Sequence, residues 1–170
     1  AYLVGLSIGV HLLNLVTIPA LALIYYFKKY TPGPWGVVAT MLFSLLIIFF
    51  INSIIIPGLP TMAGNFEVFF VNSIGLPFGS GVVVFALILF SALVFGIRQA
   101  QKNGKVLLNT FLLATTFILI GYSSYAMILI RANFNPPINE YDPSDVMSFV
   151  RYLKREQYGS RPLLYGQYFT

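Results

Sequence analysis

The sequence predicts an all-α membrane protein with four transmembrane helices, an interfacial or re-entrant element, and an extracytoplasmic C-terminal helix with loops. One observation behind this is composition: of 170 residues, 58% are hydrophobic and only 9% are charged. Soluble domains carry about 25% charged residues, and a small globule cannot bury so large an apolar excess. The other is the presence of four apolar runs, each close to the ~20 residues that cross a bilayer.

The four apolar runs define the predicted spans, which are residues 1–27, 35–58, 81–97 and 106–130. Basic residues follow three of these spans. The connection between the second and third spans, residues 59–80, is apolar but interrupted by Pro and Gly, and it contains Glu67. A carboxylate argues against a fifth span, so part of this connection is predicted to be interfacial or re-entrant.

The distribution of Lys and Arg predicts the orientation. The short connections after the first and third spans carry two and three basic residues, whereas the 59–80 connection carries none. Short basic loops stay in the cytoplasm. We therefore expect an integral inner-membrane segment, residues 1–131, with both of its ends periplasmic and residues 132–170 forming a periplasmic tail.

Several polar residues fall in the predicted outer third of the membrane. His11 lies about 24 Å from the cytoplasmic boundary at ~1.5 Å per residue, and Asn14 lies on the same face of that helix. Asn52 and Tyr122 fall at a similar depth. Such groups usually face a bundle interior or a wet cavity, which predicts an outward-opening pocket. The alternative is that they form hydrogen-bond links between helices, which is the more frequent role of such residues.

The tail contains four of the five acidic residues and a predicted helix at about residues 143–157. Asp142 is the expected N-cap, Pro143 the first helical residue and Gly159 the left-handed stop. One face of this helix carries an apolar stripe: Val146, Phe149, Val150 and Leu153. The basic residues of the helix either face solvent or meet a phosphate.

Several classes of chemistry have no support in the sequence. There is one His and no Cys, so a metal site is not expected, and no glycine-rich phosphate loop or Ser/His/Asp set is present. No cofactor is evident. The net charge of +5 reflects membrane orientation, not a nucleic-acid footprint.

Two stretches carry a family resemblance: "GLSIGVHLLNL" in the first span, and "NPPINEYDPSDVMSFVRYLKREQYGSRPLLYGQY" in the tail. They resemble a family of large polytopic proteins of the Bacteroidetes, once catalogued as a domain of unknown function. That family is related to a vertebrate transmembrane protein O-mannosyltransferase. The resemblance implies that the chain is an internal fragment of a larger GT-C-type glycosyltransferase.

The resemblance also implies an activity. The parent enzyme would transfer a sugar from a polyprenyl-phosphate donor to Ser or Thr of an exported protein. The family's acidic motif in its first outer loop has no counterpart here, so the catalytic acid is expected upstream and this segment alone is expected to be inactive. The candidate residues that line the cavity or face substrate are His11, Asn14, Asn52, Tyr122, Arg131 and Arg155. Of these, Arg131 or Arg155 would lie near the donor phosphate, and His11 with Asn14 near the sugar.

Two other functions remain open from the sequence. A transporter or flippase for a lipid-linked substrate would have charged mid-membrane residues or paired broken helices, and the four spans contain no acidic residue. A structural membrane subunit of a larger assembly would use the tail as a docking arm. Besides membrane lipids, the expected partners are the lipid-linked sugar and the exported acceptor protein.

Overall fold

The computed structural model describes residues 1–156 and Gly159, and within these residues it is helical throughout with no β-strand. Two 3₁₀ turns and one π-helical segment interrupt the α-helices. The helices are α1 (Tyr2–Ile8), α2 (Thr17–Lys29), α3 (Pro34–Phe49), α4 (Leu59–Asn72), α5 (Ser80–Lys102), α6 (Val106–Tyr122), α7 (Met127–Ala132) and α8 (Val146–Lys154). The 3₁₀ turns are Leu12–Val16 and Ser123–Ala126, and the π segment is Phe50–Gly58.

Four continuous helical stretches are long and apolar enough to cross a membrane. They confirm the helical membrane class and the number of spans. Their bounds are Leu12–Lys29, Pro34–Asn72, Ser80–Lys102 and Val106–Ala132.

The first span is shorter than predicted, because the helix is interrupted between the end of α1 and the following 3₁₀ turn. His11 has an extended backbone (φ −160°, ψ 119°), and its ring Nδ1 accepts a hydrogen bond from the Leu13 N–H at 3.1 Å. His11 is thus the N-cap of the helix that follows it. The prediction of one helix over residues 1–27 is wrong, because this cap starts a new helix at Leu12.

The second span is longer than predicted, because α4 continues directly from the π segment. A proline removes one backbone donor, and Pro60 leaves the Ile56 carbonyl without its usual α-helical partner. The Tyr122 hydroxyl donates to that carbonyl at 3.0 Å. The prediction of a broken connection is therefore wrong for residues 59–72, where the proline is accommodated within a continuous helix.

Glu67 lies inside α4 and is only 2% exposed. Its two carboxylate oxygens accept hydrogen bonds from the backbone N–H groups of Gly79 and Val82 at the start of α5. These N–H groups have no partner inside their own helix. A side chain from one helix thus caps the next, which explains how an acidic residue is held in so apolar a segment.

The two basic turns lie at the same end of the bundle. Phe50 contacts Phe111 with ring centroids 5.5 Å apart. Further along the same two helices, the Tyr122 hydroxyl donates a hydrogen bond to the Ile56 carbonyl. The second span and α6 therefore run in the same direction, so residues 30–33 and 103–105 lie at the same end of the bundle. We call this the basic end, and the opposite end, where α7 leads into residues 133–156, the tail end.

Helices α1 and α6 pack closely against each other at the tail end. A Cβ atom on Gly5 or on Gly121 would overlap backbone atoms of the facing helix, so α1 and α6 meet through their glycines. Small residues at such crossings are how helices approach closely in membranes. A buried cluster forms beside this crossing and includes Ile8, Leu15, Ile51, Ile55, Ile56, Ile118 and Tyr122.

The tail helix α8 packs against the bundle through its apolar stripe. Phe149 and Val150 are buried and Val146 and Leu153 are half-buried, which confirms the predicted stripe. Phe149 contacts Tyr125 with ring centroids 5.9 Å apart.

The ends of α8 differ from the prediction. The N-cap is Asp145, not Asp142: the Asp145 Oδ1 accepts from the N–H groups of Met147 and Ser148 at 2.7 and 2.9 Å. The helix ends at Arg155, which is left-handed (φ 54°, ψ 34°). Gly159 is also left-handed (φ 67°), but the helix has already ended there. Residues 157–158 and 160–170, with the tyrosine-rich end of the tail, lie outside the described residues.

Candidate functional site

Two adjoining cavities of about 360 and 500 Å³ open at the tail end of the bundle. They share Ile8, Leu12, Tyr125 and Arg155 as wall residues. We call the combined space the Arg155 cleft. Its walls come from the first 13 residues, from Ile56 in the π segment, from the 3₁₀ turn after α6, and from the end of α8.

His11 is a wall residue of the larger cavity, and so are the residues on either side of it, where the helix is interrupted. Its ring is exposed, and Nδ1 is occupied by the Leu13 N–H. The cap leaves Nε2 as the nitrogen available to a ligand. A broken helix that lines a cavity is a recurring way to build binding sites in membranes.

Arg155 enters the cleft from a strained backbone position. Left-handed backbone is uncommon for residues other than glycine, and here it ends α8, as a left-handed residue commonly ends a helix. The neighbouring Lys154 is exposed and is absent from the walls of the cavities described here. Of the two adjacent cations, only the strained one borders the cleft.

Tyr125 is a wall residue that the sequence analysis did not single out, although it belongs to the polar group "GYSSY". Its ring stacks on Tyr122 at 5.8 Å and is half-buried between α6 and α8. The signal that could have found it is its position three residues after Tyr122, on the same face.

The structure brings together only part of the predicted set. His11 and Arg155 share the larger cavity. Asn14 and Asn52 are exposed and are not wall residues of either cavity of the cleft. Tyr122 is buried at 9% exposure, and its hydroxyl donates a hydrogen bond to the Ile56 carbonyl.

Arg131 lines a different cavity, of about 360 Å³, between α7 and the segment that leads to α8. We call this the Arg131 pocket. Arg131 and Arg155 therefore do not share a site, although Tyr152 is a wall residue of both spaces.

The Arg155 cleft contains a cation, an imidazole, tyrosine and aliphatic residues, but no carboxylate among its described walls. Arg is suited to phosphate by its fixed donor geometry, and aromatic rings offer faces to sugars and other ring compounds. The cleft can thus bind an anionic group with an apolar extension. No carboxylate that could act as the base for a hydroxyl nucleophile is among these described walls.

No group of three potential metal ligands of the His, Cys, Asp or Glu type occurs within residues 1–156 and Gly159. The prediction that the segment needs no metal remains a prediction.

A family model described as "Protein O-mannosyl-transferase TMEM260 N-terminal domain" matches residues 1–33. The match covers α1, the break at His11, α2 and the following turn, and it includes the stretch "GLSIGVHLLNL". It does not include the tail. No curated protein and no solved structure matches the chain.

Proposed function

We propose that this chain forms part of a membrane glycosyltransferase that transfers a sugar from a polyprenyl-phosphate donor to Ser or Thr of exported proteins. In this proposal the Arg155 cleft opens at the outer face of the inner membrane and lines the donor site. One observation supports the proposal most: two segments that are distant in the sequence border the same cleft. His11, within the stretch that matches the O-mannosyltransferase model, borders the same cleft as Arg155 from the tail.

The reaction requires one bond to form and one to break. The acceptor hydroxyl oxygen attacks the anomeric carbon, and the bond from that carbon to the phosphate oxygen breaks, leaving its electron pair on the lipid phosphate. A carboxylate takes the hydroxyl proton. We assign that carboxylate to a part of the enzyme outside this chain, as the family resemblance implies.

The residues of this chain would act on the leaving group. Negative charge grows on the phosphate as the sugar departs, and a positioned guanidinium stabilises that charge more than it stabilises the intact donor. Arg155 supplies the guanidinium. His11 would donate from Nε2 to a phosphate or sugar oxygen, while Tyr125 and the aliphatic walls contact the sugar and the first part of the lipid.

The test uses the intact protein in cells that lack the native copy, with a glycoprotein blot as the readout. Arg155→Gly removes the guanidinium while keeping a residue suited to left-handed backbone, so α8 keeps its end. His11→Asn removes the imidazole while keeping a good N-cap. We expect each to reduce glycosylation at least tenfold, Arg155→Lys to retain a part, and Lys154→Ala to behave as wild type.

Unchanged glycosylation in both variants, at unchanged protein levels, would remove the Arg155 cleft from the donor site. Retained binding of the lipid-linked sugar by wild type, without any transfer to protein in cells or after purification, would instead favour a transporter for that lipid.

A further inference from the structure

The Arg131 pocket differs from the Arg155 cleft in charge. Its walls include Arg131 at the end of α7 and Glu140 in the following segment. The Arg131 guanidinium and the Glu140 carboxylate do not form an ion pair with each other. The pocket therefore presents both signs of charge, whereas the described walls of the cleft carry no acidic residue.

The segment that forms this pocket, residues 133–145, is irregular but held in shape. Asn133 Nδ2 donates to the Leu129 carbonyl at 2.8 Å and to the Ser144 carbonyl at 2.9 Å, and so ties the segment's start to its end. Asn139 Nδ2 donates to the Asp142 Oδ1 at 2.8 Å.

The backbone of this segment is also strained. Asn135, Tyr141 and Asp142 have positive φ values of 46°, 62° and 39°. An irregular segment of this length is uncommon in a compact domain unless it has a function, and backbone strain persists where the surroundings impose it. The shape of the segment is therefore set by its own hydrogen bonds and backbone conformation.

The free polar groups of the pocket complement a polypeptide better than a phosphate. Glu140 would repel a phosphate but can accept hydrogen bonds from peptide N–H groups. The Asn139 side-chain oxygen can accept as well, because the hydrogen bonds of Asn139 described above engage its amide nitrogen. Arg131 can donate to peptide carbonyls, and the remaining walls include apolar surface from Ile128, Pro136 and Ile138.

We propose that the Arg131 pocket binds the acceptor polypeptide as an extended, hydroxyl-bearing segment, and that this pocket meets the donor site of the Arg155 cleft at Tyr152. This rests on the proposed function, since it names the second substrate's site in the same reaction. Tyr152 is a wall residue of both spaces, so a peptide in one lies beside a sugar in the other. Arg131 is thereby assigned to the acceptor and not to the donor phosphate.

The first experiment separates the two substrates kinetically in the intact enzyme. Transfer from a polyprenyl-phosphate sugar to a synthetic uncharged peptide containing Ser and Thr is measured while each substrate is varied. We expect Glu140→Gln and Arg131→Gln to raise the KM for peptide at least fivefold with the KM for donor unchanged. Glu156→Gln, which removes a charge outside the Arg131 pocket, should leave both unchanged. Equal effects on both KM values, or none on the peptide's, would overturn the proposal.

The second experiment reads peptide binding without transfer. A photoreactive phenylalanine analogue replaces Ile138, a wall residue that is 80% exposed, and is irradiated with the labelled peptide. We expect saturable cross-linking that unlabelled peptide competes away and that Glu140→Gln weakens. Saturable cross-linking by a protein that transfers no sugar would support the peptide site but contradict the proposed transferase activity. Absence of saturable cross-linking in an active enzyme would reject the peptide site alone.

Discussion

At the scale of single residues, Tyr122 shows how a polar group in a membrane helix can be structural. Pro60 deprives the Ile56 carbonyl of its helical donor, and the Tyr122 hydroxyl replaces that donor. The exchange occurs inside the buried cluster, where an unpaired carbonyl is costly.

Tyr122→Phe removes only this hydroxyl. We expect a loss of about 0.6–2 kcal/mol of stability, the range found for hydrogen bonds between membrane helices, seen as a lower midpoint of thermal unfolding in detergent. Tyr30→Phe, which changes an exposed tyrosine at the basic end, is the matched control. Equal midpoints for wild type and Tyr122→Phe would show that the Ile56 carbonyl needs no such partner.

Asp145 gives a pH-dependent prediction. Partial burial alone would raise its pKa, but hydrogen bonds from Ser148 and Met147, with Arg151 nearby, lower the pKa below its ordinary value of 3.8. A lowered pKa in the folded state means that the cap stabilises α8 fully above the ordinary value. The contribution is lost as the pH falls through the lowered value.

Asp145→Ala should cost the helix about 1 kcal/mol at neutral pH, which corresponds to about fivefold faster hydrogen exchange in α8 once intrinsic rates are corrected. Asp145→Asn keeps the cap and loses its acid sensitivity. If wild type and Asp145→Asn respond identically to acid, the carboxylate is not the titrating group.

At the scale of helices, Glu67 is predicted to lock α4 to α5. Glu67→Gln keeps the size but offers one acceptor oxygen where the carboxylate offers two, and Glu67→Leu offers none. We expect stability losses that increase in that order, within about 1–3 kcal/mol, and faster amide exchange at Gly79 and Val82. Glu156→Gln is the control. Unchanged exchange at both amides in Glu67→Leu would contradict the cap.

The crossing of α1 and α6 gives a second test at this scale. Gly121→Ala places a methyl group against the backbone of Tyr2 and Leu6, and overpacking of this kind costs about 1–3 kcal/mol. We expect a lower unfolding midpoint, whereas Gly33→Ala, which meets open space, should have none of this effect. An unaffected midpoint in Gly121→Ala would show that the helices can separate without cost.

Much of the helical arrangement follows from the sequence, because hydropathy and length alone identify four spans. The breaks do not follow. A histidine that caps a helix inside an apolar run is indistinguishable by hydropathy from one inside a continuous helix. The continuity across Pro57 and Pro60 depends on a hydroxyl 66 residues away, which no local pattern reveals.

At the scale of the whole molecule, the candidate site depends on which distant segments meet. The sequence predicts His11 and Arg155 as site residues, since an imidazole within an apolar run and a cation in the tail are unusual enough to notice. The sequence cannot assign Arg131 and Arg155 to different cavities, because both are cations near the same end of the bundle. That division comes from the strained segment 133–145, whose shape depends on bonds between its own side chains and backbone.

We propose that the tail end, with the Arg155 cleft, faces outward and that the basic end faces the cytoplasm. This chain contains no Cys, so single cysteines report position without background from it. Lys154→Cys and Lys102→Cys, in spheroplasts treated with a membrane-impermeant maleimide, test the claim most directly. We predict labelling of Cys at position 154 in intact spheroplasts, and at position 102 only after permeabilisation. The reverse pattern would contradict the orientation, and with it the donor site and the acceptor pocket.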